Sequence, residues 1–170
     1  MDVVAGGRMN KKMKNRITVI AWTVLISLVT IRTVWKPYPI PGQRPLYWVP
    51  SFDEWDYLLF IVGSIVAGLM LVDLETVFFG WIKAVTLSSL ITVIYLSFHF
   101  WFIEEMYKVF SQDPFGWEYS IYFAILRVFE LMFPLNIVLI FICVFLGGFL
   151  SEAVGLSKKI ASAFPEEVRE

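Results

Sequence analysis

TLSSLITVIYLSFHFWFIEE, residues 86–105, decides the fold. From residue 86 to residue 103 no side chain carries a formal charge, and two carboxylates follow at once. An α-helix rises about 1.5 Å per residue, so about 20 apolar residues cross a bilayer core. The stretch predicts a membrane-spanning helix over 84–103, with Glu104 and Glu105 marking its exit. It also carries His99, the single histidine of the chain.

The rest of the chain has the same character. Of 170 residues, 58% are hydrophobic and 18% aromatic, and the mean hydropathy is +0.71. A soluble domain has about 45–50% apolar residues. The 14 Lys and Arg balance 15 Asp and Glu. With no basic–aromatic surface of the kind that holds nucleic acid, the bilayer is the expected partner and nucleic acid is not. One cysteine, Cys143, and one histidine exclude an intrachain disulfide and a cysteine cage. A metal site built by this chain alone is not expected; one shared with another subunit stays open.

Three further spans flank the first. Residues 1–16 are polar and basic, with Arg8, Lys11, Lys12, Lys14 and Arg16, and 17–34 are apolar up to Arg32. No small-x-small cleavage site follows, so 17–34 reads as a helix whose Arg32 snorkels rather than as a signal peptide. Residues 35–55 hold five of the eight prolines, interleaved with Trp35, Tyr38, Tyr47, Trp48, Phe52 and Trp55. This composition predicts an extended, aromatic-anchored outer loop. Ser51 or Asp53 is placed to cap a second helix, 57–79. Asp73 and Glu75 lie in the headgroups if that helix stops at Val72, and inside the membrane, as ionisable groups of an ion or proton path, if it runs on. A turn near Gly80 leads into 84–103. The last apolar region, 119–150, is about 48 Å long as one helix, which exceeds a bilayer, so either it tilts and projects or the part before Pro134 is an interfacial segment, with 131–150 as the core of the fourth span. Pro134 predicts a kink there, and Arg127 and Glu130 are spaced to pair on one face. Residues 151–170 read as a charged tail with a short surface helix.

The expected fold is therefore all-α: a polytopic integral membrane protein with a bundle of four transmembrane helices. The 1–16 segment, Lys83 and the tail carry most of the positive charge, which places both termini in the cytoplasm and the chain in the cell membrane.

Two patterns concern how the spans meet. Gly63, Ser64, Ala67 and Gly68 form overlapping small-xxx-small pairs, which let another helix approach closely. Ser88, Thr92, Tyr95 and His99, spaced four, three and four, line one helical face. Such a polar stripe faces the bundle or a partner rather than lipid, as interhelical hydrogen bonds or, through His99, as a proton relay or metal ligand.

Residues 99–105, HFWFIEE, with Met106, Tyr107 and Val109 after them, resemble the end of a transmembrane helix in the C subunit of copper membrane monooxygenases, the ammonia- and methane-oxidising enzymes. The layout is similar too: basic N-terminus, helix, long loop, tight helix pair and final helix. The resemblance implies that His99 is a copper ligand. The family's Asn one turn earlier falls on Tyr95, and its second His falls near Gln112 and Asp113. The family's Asp/His/His site belongs in the loop before the second helix, which here has no histidine. Only His99 carries over. In size and span count alone, the chain also resembles the small four-helix membrane subunit of TRAP-type transporters.

No phosphate-cradling glycine loop, nucleophile–histidine pair or HExxH motif is present. The leading expectation is a non-catalytic integral membrane subunit that packs against a larger membrane partner or forms a homo-oligomer. The alternatives are a copper-monooxygenase-type subunit with His99 in or near a metal site, and a small ion-coupled carrier using Asp73 or Glu75.

Overall fold

The computed structural model describes residues 11–34, 51–71, 73–103, 107–108 and 113–163, with the backbone alone at residue 11 and at 156–163. Among the described residues the chain is all-helical: α1 (Lys11–Val34), α2 (Glu54–Leu71), α3 (Leu74–Phe98) continued by a π-helical turn (His99–Ile103), α4 (Gly116–Met132) and α5 (Leu135–Ala163). Four of these segments are long and apolar enough to cross a membrane: Lys12–Val34, Glu54–Leu71, Leu74–Ile103 and Leu135–Gly155. The protein is a multi-pass helical membrane protein.

Cross-helix contacts set the register. Trp22 Nε1 donates to Ser64 Oγ at 3.3 Å and Thr33 Oγ1 to Asp56 Oδ2 at 3.2 Å, so α1 and α2 are antiparallel. A Cβ on Gly80 would stand 3.4 Å from Val19 Cγ2, and Ser27 Oγ donates to the Ser88 carbonyl at 3.5 Å, so α3 runs parallel to α1. Trp81 and Phe141 meet edge to face at 4.9 Å, and Gly148 sits against Val77, so α5 is antiparallel to α3 and parallel to α2. The end of the bundle where α1 begins is called the near end, and the other the far end.

The closest approach joins α2 to α5. A Cβ on Gly68 would overlap the Val144 carbonyl oxygen, and one on Gly147 would overlap the Ile65 carbonyl oxygen. The small-residue cluster serves two neighbours: Gly63 lies under Leu25 and Ser64 under Trp22 of α1, while Gly68 admits α5. Ser64 and Ala67 are buried.

Several boundaries differ from expectation. The helix expected over 57–79 stops at Leu71, and the one expected over 84–103 starts at Leu74. The turn falls at Asp73 rather than Gly80, because Asp73 takes extended backbone (φ −96°, ψ 130°) and its carbonyl accepts from the Val77 N–H at 2.9 Å. Gly80 is a contact glycine inside α3, where its missing side chain admits Leu71 and Val19. Lys83, assigned to the connection, is an exposed residue of α3. The region 119–150 is two helices, broken at Phe133–Pro134, as a proline without an N–H dictates. Residues 151–163 continue α5 instead of forming a separate surface helix. Phe52, expected in the aromatic loop, is buried edge to face against Phe60 at 5.1 Å. Residues 1–10, 35–50 and 164–170 lie outside the described residues, so most of the basic N-terminus and of the Pro/aromatic loop does too.

Candidate functional site

Ser88, Thr92 and His99 are buried, and Tyr95 is half-buried, on one stripe of α3. Thr92 Oγ1 donates to the Ser88 carbonyl at 2.8 Å and Ser88 Oγ to the Val85 carbonyl at 2.9 Å, so both hydroxyls are held within their own helix. His99 closes α3. Its backbone N–H is shared between the Tyr95 and Leu96 carbonyls, and the π-helical turn starts at this residue. Its ring stacks on Tyr95 at 6.3 Å and meets Phe100 at 6.0 Å. Beside it, an open groove on α3, lined by Ile94, Tyr95, Phe98 and Phe102 among others, has almost wholly apolar walls.

Among the described residues, the side chains that a copper centre would need beside His99 are not assembled. Among the described residues no group of three His, Cys, Asp or Glu side chains is placed to hold a metal. Tyr95 stands where the resemblance would put an Asn. Asp113 forms a turn, its Oδ1 accepting from the Phe115 N–H at 2.9 Å and its carbonyl from the Gly116 N–H at 2.9 Å, and so opens α4. Glu104, Glu105 and Gln112 lie outside the described residues. The described residues supply one imidazole and no set of ligands.

The other ionisable candidates sit at the ends of helices. Asp73 is half-buried at the start of α3, and Glu75 is exposed in its first turn. Both lie level with Lys12 and Lys14, since α3 follows α1 at an offset of 61 residues (80 beside 19, 88 beside 27). Carboxylates there complement the positive N-terminus of α3. Arg127 and Glu130 pair at 3.3 Å on the exposed side of α4.

The most deeply set charge was not singled out from sequence. Asp56 is fully buried in the first turn of α2. Its Oδ2 accepts from Thr33 Oγ1 and, at 3.0 Å, from the Asp53 N–H, while Asp53 Oδ1 accepts from the Asp56 N–H at 2.8 Å. This is a capping box built from two aspartates. Arg32 reaches both, at 3.5 Å each. The signal was the D-x-x-D spacing ahead of an apolar run. Also missed was the hydroxyl stripe of α1. Thr18, Thr23, Ser27, Thr30 and Thr33 are all buried, and each donates to the carbonyl four residues earlier. That stripe makes α1 the most enclosed of the four spans.

Compared with protein-family models, with curated proteins and with solved structures, the chain matches none. The geometry alone therefore carries the functional reading. Many polar groups of the spans are tied to neighbouring helices or to their own backbone: Trp22 to Ser64, Ser27 to Ser88, Thr33 to Asp56, and Asn136 Nδ2 to the Leu131 carbonyl; Trp81 Nε1 and Asn136 Oδ1 are buried without a hydrogen-bond partner. Most of what the spans expose is apolar, with Glu75 and Lys83 of α3 among the exceptions.

Proposed function

We propose that the protein is a non-catalytic integral membrane subunit that packs against a larger membrane partner. The observation that carries this is the inward commitment of the polar side chains. The hydroxyls of α1 and α3 are spent on helix–helix and back-bonded contacts, and the groove beside His99 is walled by carbon and opens sideways. Such a bundle holds shape and offers apolar faces; it does not line a polar path. Its place is the cell membrane, with both termini in the cytoplasm, a reading supported by the basic residues around α1. Native purification followed by mass spectrometry tests it. The chain is expected to emerge with a second, larger polypeptide, and a stable monomer in mild detergent overturns the proposal.

A second reading is favoured by one observation, the π-helical turn at His99, since such turns occur often at functional sites. In this reading His99 gives one ligand to a copper site completed by a partner, as in a copper-monooxygenase-type subunit. Metal analysis of the purified complex tests it. Copper is expected in the wild type and lost in His99→Ala, and copper absent from both removes the reading.

A further inference from the structure

Two arginines of the bundle have answering carboxylates. In the charged layer at the far end Arg32 reaches Asp53 and Asp56, at 3.5 Å each, and on α4 Arg127 pairs with Glu130 at 3.3 Å. Lys83 of α3 has no such answer: among the described residues no hydrogen bond or ion pair reaches its ammonium. It is exposed in the third turn of α3, and the outward side chains around it are Phe79, Ile82 and Leu87. The span Leu74–Ile103 is long and apolar enough to cross a membrane. From 84 to 103 it carries no formal charge, a run of about 30 Å. A hydrocarbon core of that thickness, laid on this run, ends at Lys83. A charge on a lipid-facing surface is costly unless its head leaves the hydrocarbon, which a flexible four-carbon stem permits.

Two features of the fold direct that head. Side chains on a helix tilt toward its N-terminus. For α3 this is the near end, so the stem of Lys83 leads out of the uncharged run rather than into it. The near end is also basic on this side. Gly80 faces Val19 across the seam of α1 and α3, where an added Cβ would stand 3.4 Å from Val19 Cγ2. Lys83 follows Gly80 by three residues, and Arg16 precedes Val19 by three. On parallel helices, equal rotations of opposite sense fall on the same side of the seam. Exposed Arg16 and exposed Lys83 therefore flank one outer groove, about 9 Å apart along the axis. Among the described residues nothing pairs with Arg16 either. Lys12 and Lys14 add positive charge one turn further out. Asp73 and Glu75 lie at that same level, but Glu75 is about 12 Å from Lys83 along the helix and its side chain tilts away in the same direction.

An ammonium at the edge of an apolar, outward-facing run meets the phosphodiester of a lipid headgroup, and neighbouring cations add to the attraction. We propose that Lys83, with Arg16 beside it, binds the phosphate of a phospholipid at the near end and selects a net-anionic headgroup over a zwitterionic one. The test places the full chain in nanodiscs of phosphatidylcholine and phosphatidylglycerol in equal parts and reads by native mass spectrometry which lipids stay bound. The wild type is expected to retain phosphatidylglycerol preferentially. Lys83→Gln is expected to lower the ratio of retained phosphatidylglycerol to phosphatidylcholine about fivefold, and Lys83→Arg to keep it. Both variants are expected to melt as the wild type does, since the side chain is exposed. Equal ratios in wild type and Lys83→Gln overturn the inference. So does a Lys83→Arg chain that behaves as Lys83→Gln, because charge is then not what binds. Replacing sodium chloride by sodium phosphate at equal ionic strength is expected to change nothing; loss of the lipid preference there assigns the site to free phosphate and overturns the inference as well.

Discussion

At the near end the bundle is outrun by one helix, α5, whose residues beyond Leu150 read SEAVGLSKKIASA. At the far end the close of α3 runs on past Val34 to Ile103, and α4, rich in Phe, Trp and Tyr, packs on it. The lone helix is polar, and a Cβ added to its Gly155 would meet nothing within 4 Å. The pair is apolar, and its members pack through small residues while still showing aromatic rings outward. A helix end rich in charge suits water; a helix that shows aromatic rings outward suits an apolar or interfacial neighbour. The two ends of the bundle therefore differ in side-chain chemistry, polar at one and aromatic at the other.

Five substitutions at four positions break or sharpen that contrast. Gly68→Leu forces the backbones of α2 and α5 apart inside the bilayer and is expected to cost about 3 kcal/mol, whereas Gly155→Leu on the projecting part of α5 stays within about 0.5 kcal/mol. Reversible unfolding in mixed micelles reads both. Equal losses would mean that the tail is packed rather than free. At the far layer, Asp56→Ala removes the helix cap and the acceptor of Thr33 together. A loss of about 2 kcal/mol is expected in the same assay, and Asp56→Asn, which keeps a capping oxygen, is expected to lose about half of that. A null effect of Asp56→Ala would show that this layer does not hold α1 to α2. On α4, Arg127→Ala breaks an ion pair open to solvent, and a change under about 0.5 kcal/mol is expected. A larger loss would mean that the pair holds α4 to the bundle.

The spans were legible because hydropathy and length are one-dimensional signals: a run such as 86–103 has a single physical use. The stripe Ser88, Thr92, Tyr95 and His99 was legible for the same kind of reason, since a 3.6-residue period states which side chains share a face. Boundaries were harder. Gly80 looked like a turn because glycine serves both turns and close contacts, and only the neighbour across the gap, Val19, tells the two apart. Asp73 ended α2 instead, by its own extended backbone. Nothing in its own segment marks Asp56 as buried, because its burial depends on Thr33 and Arg32 arriving from another helix. The hydroxyls of α1 went unremarked because Ile, Val and Trp surround them, although Thr23, Ser27 and Thr30 keep the same spacing as the stripe on α3. The packing of α4 on the close of α3 was beyond reach, because it follows from inter-helix register and not from any one segment.

The notch in which Gly68 and Gly147 bring α2 and α5 together also sets an order of assembly. The two helices are parallel, and α2 is synthesised and inserted long before α5 exists. Until the last span arrives, the glycine face of α2 borders lipid, and the tightest contact of the molecule is unmade. A chain interrupted before residue 147 therefore lacks the contact between Gly68 and the backbone of α5.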